Sequence, residues 1–311
     1  LIVFFSGVIT YFPNKKERSQ IKIREGFFIV ALFWFVLSIF GSIPFMLDKQ
    51  LNLSLIDAIF ESTSGWTTTG ATVISNLDNL SEPILLYRQL LQWLGGIGIV
   101  VLVLAILPIL GVGGMYLYKA ETSSPVKDNK LSPRITETAK NLWSVYLLLT
   151  IACAVFYKLA GMTYFDAIGH SFSTVSIGGF STHNESIGFY SNDLIKIICI
   201  FFMFLSALNF VLHFLFYKNR SFETYLSNSE AKTFVSIITG RFILILIFSI
   251  GGRLSLVENI DIIFHVFSFV TTSGFTVSDY SLWPTFLITL IFISSFIGAC
   301  AGSAGGGIKV I

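Results

Sequence analysis

The stretch Asp57-Ala58-Ile59-Phe60-Glu61-Ser62-Thr63-Ser64-Gly65-Trp66-Thr67-Thr68-Thr69-Gly70-Ala71-Thr72 recurs in recognisable form twice more along this chain of 311 residues. The second copy runs from Asp166 through Ser176-Ile177-Gly178-Gly179-Phe180-Ser181, and the third from Asp261 through Thr271-Thr272-Ser273-Gly274-Phe275-Thr276. In each copy a glycine follows the aspartate by the same count, since 70−57, 179−166 and 274−261 all give 13. Each copy reads as a short helix that breaks into hydroxyl residues around one glycine. Ser54 and Thr163 stand three residues before the first two aspartates, as in a capping box, and Asn259 offers a cap to the third helix. The glycine allows φ > 0, so successive carbonyl oxygens can turn to one side. Carbonyls lining an axis, with helix C-termini aimed at it, favour a dehydrated monovalent cation.

Composition places these copies in a membrane. With 54% hydrophobic residues, 12% charged residues and a mean hydropathy of +0.77, the chain lies outside the range of soluble domains. Uncharged runs of spanning length occur at Gly26–Leu47, Gln89–Tyr118 and Tyr280–Ile308. Shorter runs at Asn141–Tyr157 and Ile197–Leu212, and Thr233–Gly252 interrupted by Arg241, bring the expectation to six spans. Lysine and arginine concentrate in Asn14–Glu25, Tyr118–Lys140 and Lys218–Lys232, whereas the opposite loops are acidic. The positive-inside rule then makes the basic loops cytoplasmic and puts all three copies on the outer side. A net charge of +2 with no basic-aromatic patch argues against nucleic acid. Cys153, Cys199 and Cys300 read as apolar fillers. His170, His183, His213 and His265 lack metal spacing, and no nucleophile stands beside a base, which argues against an enzyme or an organic cofactor.

The fold class expected is an all-α polytopic membrane protein built from helix, pore-loop, helix units around a central axis. Backbone that is not helical is tolerated at membrane depth only in protein or beside water, so the three loops should converge. Residues 1–12 read as the end of a preceding helix, 25–118 as the first unit, 141–218 as the second and 233–311 as the third. In the second unit the final helix is expected over about Asn192–Tyr217, and in the third over about Leu282–Ile311. Glu61, His170 and His265 each stand four residues after their aspartate, where a buried hydrogen bond would steady the back of each loop. Gly95-Gly96-Ile97-Gly98 reads as close helix packing, and Arg241 as a snorkelling side chain. The run from Gly298 to Lys309 cannot form an ordinary helix, and Gly298, Gly302, Ser303, Gly305, Gly306 and Gly307 are read as a gating loop in the ion path.

The three loops, Arg88-Gln89-Leu90-Leu91-Gln92-Trp93-Leu94-Gly95-Gly96-Ile97-Gly98, Ala120–Lys127, Pro133–Lys140 and Ala301–Lys309 together resemble the Trk/Ktr/HKT superfamily of potassium-transport pore subunits, most nearly the bacterial Trk type. The resemblance covers nearly the whole chain. It implies a pore of four units in a bacterial cytoplasmic membrane, among lipid, conducting K⁺ inward. It also implies a homodimer regulated by a cytoplasmic ring of nucleotide-binding subunits. Carried over by position, the filter that holds K⁺ comprises Thr68, Thr69, Gly70 and Ala71; Ile177, Gly178, Gly179 and Phe180; and Thr272, Ser273, Gly274 and Phe275. Three units are present where the resemblance implies four, so a fourth filter loop is expected beyond Ile311. The rival reading is a proton- or sodium-coupled potassium symporter using the same path, although units that share one orientation argue against the inverted repeats common in carriers.

Overall fold

A computed structural model describes residues 2–14, 23–110, 135–248, 259–300 and 302–310. Helix α1 (Ile2–Asn14) precedes a first unit made of α2 (Ile23–Leu47), α3 (Leu55–Trp66) and α4 (Glu82–Leu110). The second unit holds α5 (Ile135–Leu159), α6 (Tyr164–Val175), α7 (Asp193–Ala207) and α8 (Phe210–Asn219), followed by the single turn α9 (Glu223–Leu226). In the third, α10 (Ser229–Phe248), α11 (Asn259–Val270) and α12 (Thr285–Phe296) lead into two short strands, β1 (Ile297–Cys300) and β2 (Ile308–Val310). The family-like segments Ala120–Lys127 and Pro133–Arg134 lie outside the described residues, as does Ala301.

The burial pattern is reversed relative to a protein in water. Phe28, Leu32, Phe35 and Ile39 lie exposed along one stripe of α2, and Leu148, Ile151, Val155 and Leu159 along α5. Glu61, Arg88, Gln89, Gln92, His170 and His265 are buried inside. Lipid tails match the outer face, and the interior supplies the polar partners that a bilayer core cannot. Within each unit the first and last helices clasp the short one. Beyond that, α4 also packs on α6 of the next unit and α7 on α11. Small residues permit the approach: a Cβ on Gly95 would collide with the Trp66 backbone, and one on Gly96 would stand 2.8 Å from the Tyr146 hydroxyl. The expected packing role therefore holds for Gly95 and Gly96. Gly98 instead interrupts the helical path of α4, with φ 28° and ψ −137°. Cys153, Cys199 and Cys300 are buried among apolar neighbours, as fillers would be.

Three expectations need correction. The helix foreseen over Asn192–Tyr217 is two helices meeting at 92°. Leu208 is extended there, and the Asn209 side chain accepts from the Val211 amide, starting α8 afresh. The helix foreseen from Leu282 is only α12, because the glycines after Phe296 fold into a parallel pairing of Ile297 with Ile308 and of Cys300 with Val310. Arg241 does not snorkel: its Nη1 donates to the Ser294 carbonyl at 3.0 Å. The early end of α12 leaves its last carbonyls without helical donors, and a cation at a helix C-terminus is doubly favourable.

Candidate functional site

All three short helices stop by the same local chemistry, and the first two also start by the same cap. Ser54 Oγ accepts from the Asp57 amide at 3.2 Å and donates to its carboxylate at 2.7 Å; Thr163 does the same with Asp166 at 3.0 and 2.8 Å. Helix α11 begins at Asn259. At the other end, the amides of Thr69, Gly178 and Ser273 reach back to the carbonyls of Ser64, Ser173 and Ser268 at 2.9, 2.8 and 2.8 Å. The amides of Thr68, Ile177 and Thr272 reach the carbonyls of Gly65, Thr174 and Phe269, each at 3.1 Å. This is a Schellman stop, whose left-handed residue is usually glycine. Here that residue is β-branched every time, with φ of 53° at Thr68, 55° at Ile177 and 67° at Thr272. Two positions on, Gly70, Gly179 and Gly274 are left-handed as well, at 76°, 79° and 82°. The residue between them is not. Alternating handedness along a short strand turns its peptide planes so that carbonyls share a side, the geometry a cation can use.

The three strands lie against one another in order. A Cβ on Gly70 would collide with the Gly178 carbonyl, and a Cβ on Gly179 with the Ser273 carbonyl. Each glycine thus abuts the residue just before the glycine of the next strand, as a rotation about a common axis requires. At Gly274 an added Cβ would meet nothing within 4 Å among the described residues. Phe180 and Phe275 are buried behind their strands, whereas Ala71 is exposed. Two of the twelve filter candidates have carbonyls already engaged: Gly178 accepts from Gln92 at 2.6 Å and Phe275 from the Ser268 hydroxyl at 2.7 Å.

Behind the first two strands the expected buried bonds are present, and others join them. Glu61 accepts from the Thr72 hydroxyl at 2.9 Å and the Val73 amide at 3.1 Å. Arg88 of α4 completes the group, 2.7 Å from Glu61, 3.2 Å from the Ser181 carbonyl and 4.3 Å above the Phe180 ring. His170 links the Asp166 carbonyl to the Ser181 hydroxyl at 3.0 and 2.9 Å. His265 departs from the expectation: it reaches the Asp261 carbonyl of its own helix at 2.8 Å, and its Nε2 makes no hydrogen bond to the third strand among the described residues. Sequence reasoning missed Arg88 and Gln92 as supports. Their signal was available, since polar side chains four apart in an apolar helix must face protein.

Where the strands leave their helices, the glycine-rich segment closes in. The Gly306 amide donates to the Thr272 hydroxyl at 2.8 Å, and Gly305 lies near the Thr271 carbonyl and Ile177. Lys309 Nζ donates to the Gly305 carbonyl. The Phe210 amide donates to the Gly302 carbonyl at 3.1 Å, and the Ala304 amide to Ser206 at 3.3 Å, so the bend between α7 and α8 is the seat of this segment.

Comparison with known proteins agrees with this architecture. The model of the TrkH family, described as cation transport protein, matches residues 1–311. The chain belongs to that family. A Trk system potassium uptake protein TrkH of Halomonas elongata is 52% identical over 98% of this chain and 64% of its own length. TrkH of Escherichia coli K12 is 50% identical over the same shares, and TrkG of that strain 42% identical over 99% and 64%. The crystal structure of the potassium transporter TrkH from Vibrio parahaemolyticus superposes with a TM-score of 0.86 at 46% identity, over 99% of this chain and 64% of that one. This TrkH-family chain thus spans 64% of the length of these relatives. It is a polytopic membrane protein, and its relatives are named for potassium uptake or transport.

Just past the second strand, His183 joins two units of this TrkH-family member. Its Nδ1 is 2.7 Å from Asp78 and its Nε2 3.4 Å from Asp166, and Asn184 donates to Asp78 at 2.6 Å. Burial alone would lower the imidazole pKa, but the bonds to Asp166 and Asp78 outweigh it and hold the pKa above the ordinary 6.5.

Proposed function

We propose that the chain supplies three sides of a potassium-selective uptake pore in the bacterial cytoplasmic membrane. One observation carries the reading: three strands of identical left-handed pattern stand side by side, Gly70 against a carbonyl of the second and Gly179 against a carbonyl of the third. Thr68–Ala71, Ile177–Phe180 and Thr272–Phe275 line the path with backbone oxygen and hydroxyls and bring no carboxylate to it, which suits K⁺ rather than a divalent ion. The open flank at Gly274 is where a fourth strand would close the ring. Gly298, Gly302, Ser303 and Gly305–Gly307 form the gate, tied to the third strand by the Thr272 hydroxyl, while Lys309 closes the segment on itself at the Gly305 carbonyl. K⁺ is the cargo. The relatives' naming as parts of a Trk system supports assembly with other subunits. We assign these as a cytoplasmic nucleotide-binding ring acting on a homodimer.

The test is flux into liposomes holding the full-length protein. Rb⁺ and K⁺ should enter well ahead of Na⁺, and Gly179→Ala should cut entry at least tenfold, because its methyl group strikes the Ser273 carbonyl. Equal Na⁺ and K⁺ entry overturns the reading. The proton-coupled alternative has one observation in its favour, the titratable His183 beside the second strand. Reversal potentials that follow the proton gradient support coupling, and values set by K⁺ alone dismiss it.

A further inference from the structure

Gln92 belongs to the first unit but holds the strand of the second. It is fully buried, its Nε2 donates to the Gly178 carbonyl at 2.6 Å, and its Oε1 accepts from the Phe180 amide at 3.0 Å. Because an amide can only donate, the Phe180 bond decides which end of the carboxamide faces which partner. One side chain therefore pairs with residues i and i+2 as a neighbouring strand would. Gly178 itself is explained by this contact. It does not need φ > 0, but an added Cβ would stand 2.5 Å from Gln92 Oε1 and 2.8 Å from Nε2. At the same level of the other two strands, the carbonyls of Thr69 and Ser273 accept no hydrogen bond among the described residues. The buried hydroxyls of Ser206 in the second unit and Ser273 in the third have no hydrogen-bond partner among the described residues.

We infer that Gln92 is a specificity-determining positioning residue: by clamping the second strand at Gly178 and Phe180 it makes the ring of oxygens unequal, weakening one carbonyl while pinning its place. Selectivity depends on the number and field strength of the oxygens offered, so one carbonyl already bonded to an N–H changes the balance between ions. The inference rests on reading these strands as the filter.

Reversal potentials under bi-ionic K⁺/Na⁺ conditions, in liposomes with the full-length protein, separate the two. Gln92→Leu removes both bonds, and Gln92→Glu keeps the acceptor for Phe180 while losing the donor to Gly178. Both should lower the K⁺/Na⁺ permeability ratio by about tenfold, the scale of one lost hydrogen bond. If Gln92→Leu fails to assemble, Gln92→Glu carries the test. Gln89→Leu is the control, since the Gln89 amide is buried against Gly169 with no hydrogen-bond partner among the described residues. Unchanged ratios in the Gln92 variants overturn the clamp, as does an equal shift in Gln89→Leu. A wild-type protein that passes both ions equally overturns the filter reading itself.

Discussion

At the scale of the residue, the buried carboxylate of Glu61 poses the sharpest energetic question. A charge taken out of water is tolerable only when paired and hydrogen-bonded, and Glu61 has Arg88, Thr72 and Val73 as its partners. Removing one member of such a pair costs far more than replacing both. Arg88→Met should therefore destabilise the protein by about 3–5 kcal/mol, and Arg88→Met with Glu61→Gln should recover part of that loss. Thermal unfolding in detergent measures it, and a loss under about 1 kcal/mol would show the pair to be dispensable. The position of Glu61 was legible four residues after Asp57; its cation was not. Arg88 lies 27 residues away on another helix, where no local pattern assigns a partner.

At the scale of the element, the end of each short helix stores strain. A β-branched residue in the left-handed region costs of order 1–3 kcal/mol, and its stiff side chain leaves the backbone little freedom. Thr68 has no side-chain bond to lose among the described residues, so Thr68→Gly isolates the effect. We expect a protein at least as stable, by up to about 1 kcal/mol once the added freedom of the unfolded chain is deducted, but with a looser first strand and a lower preference for K⁺ over Na⁺. Melting temperature and bi-ionic reversal potential together check this. A less stable variant would mean that the left-handed turn at Thr68 is not strained. The glycine turns were legible from spacing alone. The turns two residues earlier were not, because threonine and isoleucine carry no tendency toward φ > 0 and adopt it only when the surrounding fold imposes it.

At the scale of the whole molecule, the units are fastened to one another by polar groups as well as by packing. His183 joins Asp78 of the first unit to Asp166 of the second, with Asn184 beside it. Its pKa is raised in the folded protein, so its contribution is complete below the ordinary value of 6.5 and is lost as pH rises through the folded value. The difference in melting temperature between wild type and His183→Gln should shrink on going from about pH 6 to about pH 8. A difference that stays constant with pH would mean that the clasp is not ionic. Lys196 makes the comparable link from α7 to Asp261 of the third unit at 2.8 Å.

Membrane residence, the three units, the caps of the first two short helices and the glycines at a constant interval were determined by the sequence itself. Each depends on residues within one or two turns of one another, or on hydrophobicity summed over a span. Only the tertiary structure decided that Gln92 grips a strand 86 and 88 residues away, that Arg241 answers a carbonyl 53 residues on, and that the run over Asn192–Tyr217 bends at Leu208. The same is true of the glycine-rich segment, whose shape comes from Thr272, Ser206 and Phe210. A buried polar group takes whichever partner packing brings to it, and that partner is chosen by how whole helices meet, not by its distance along the chain.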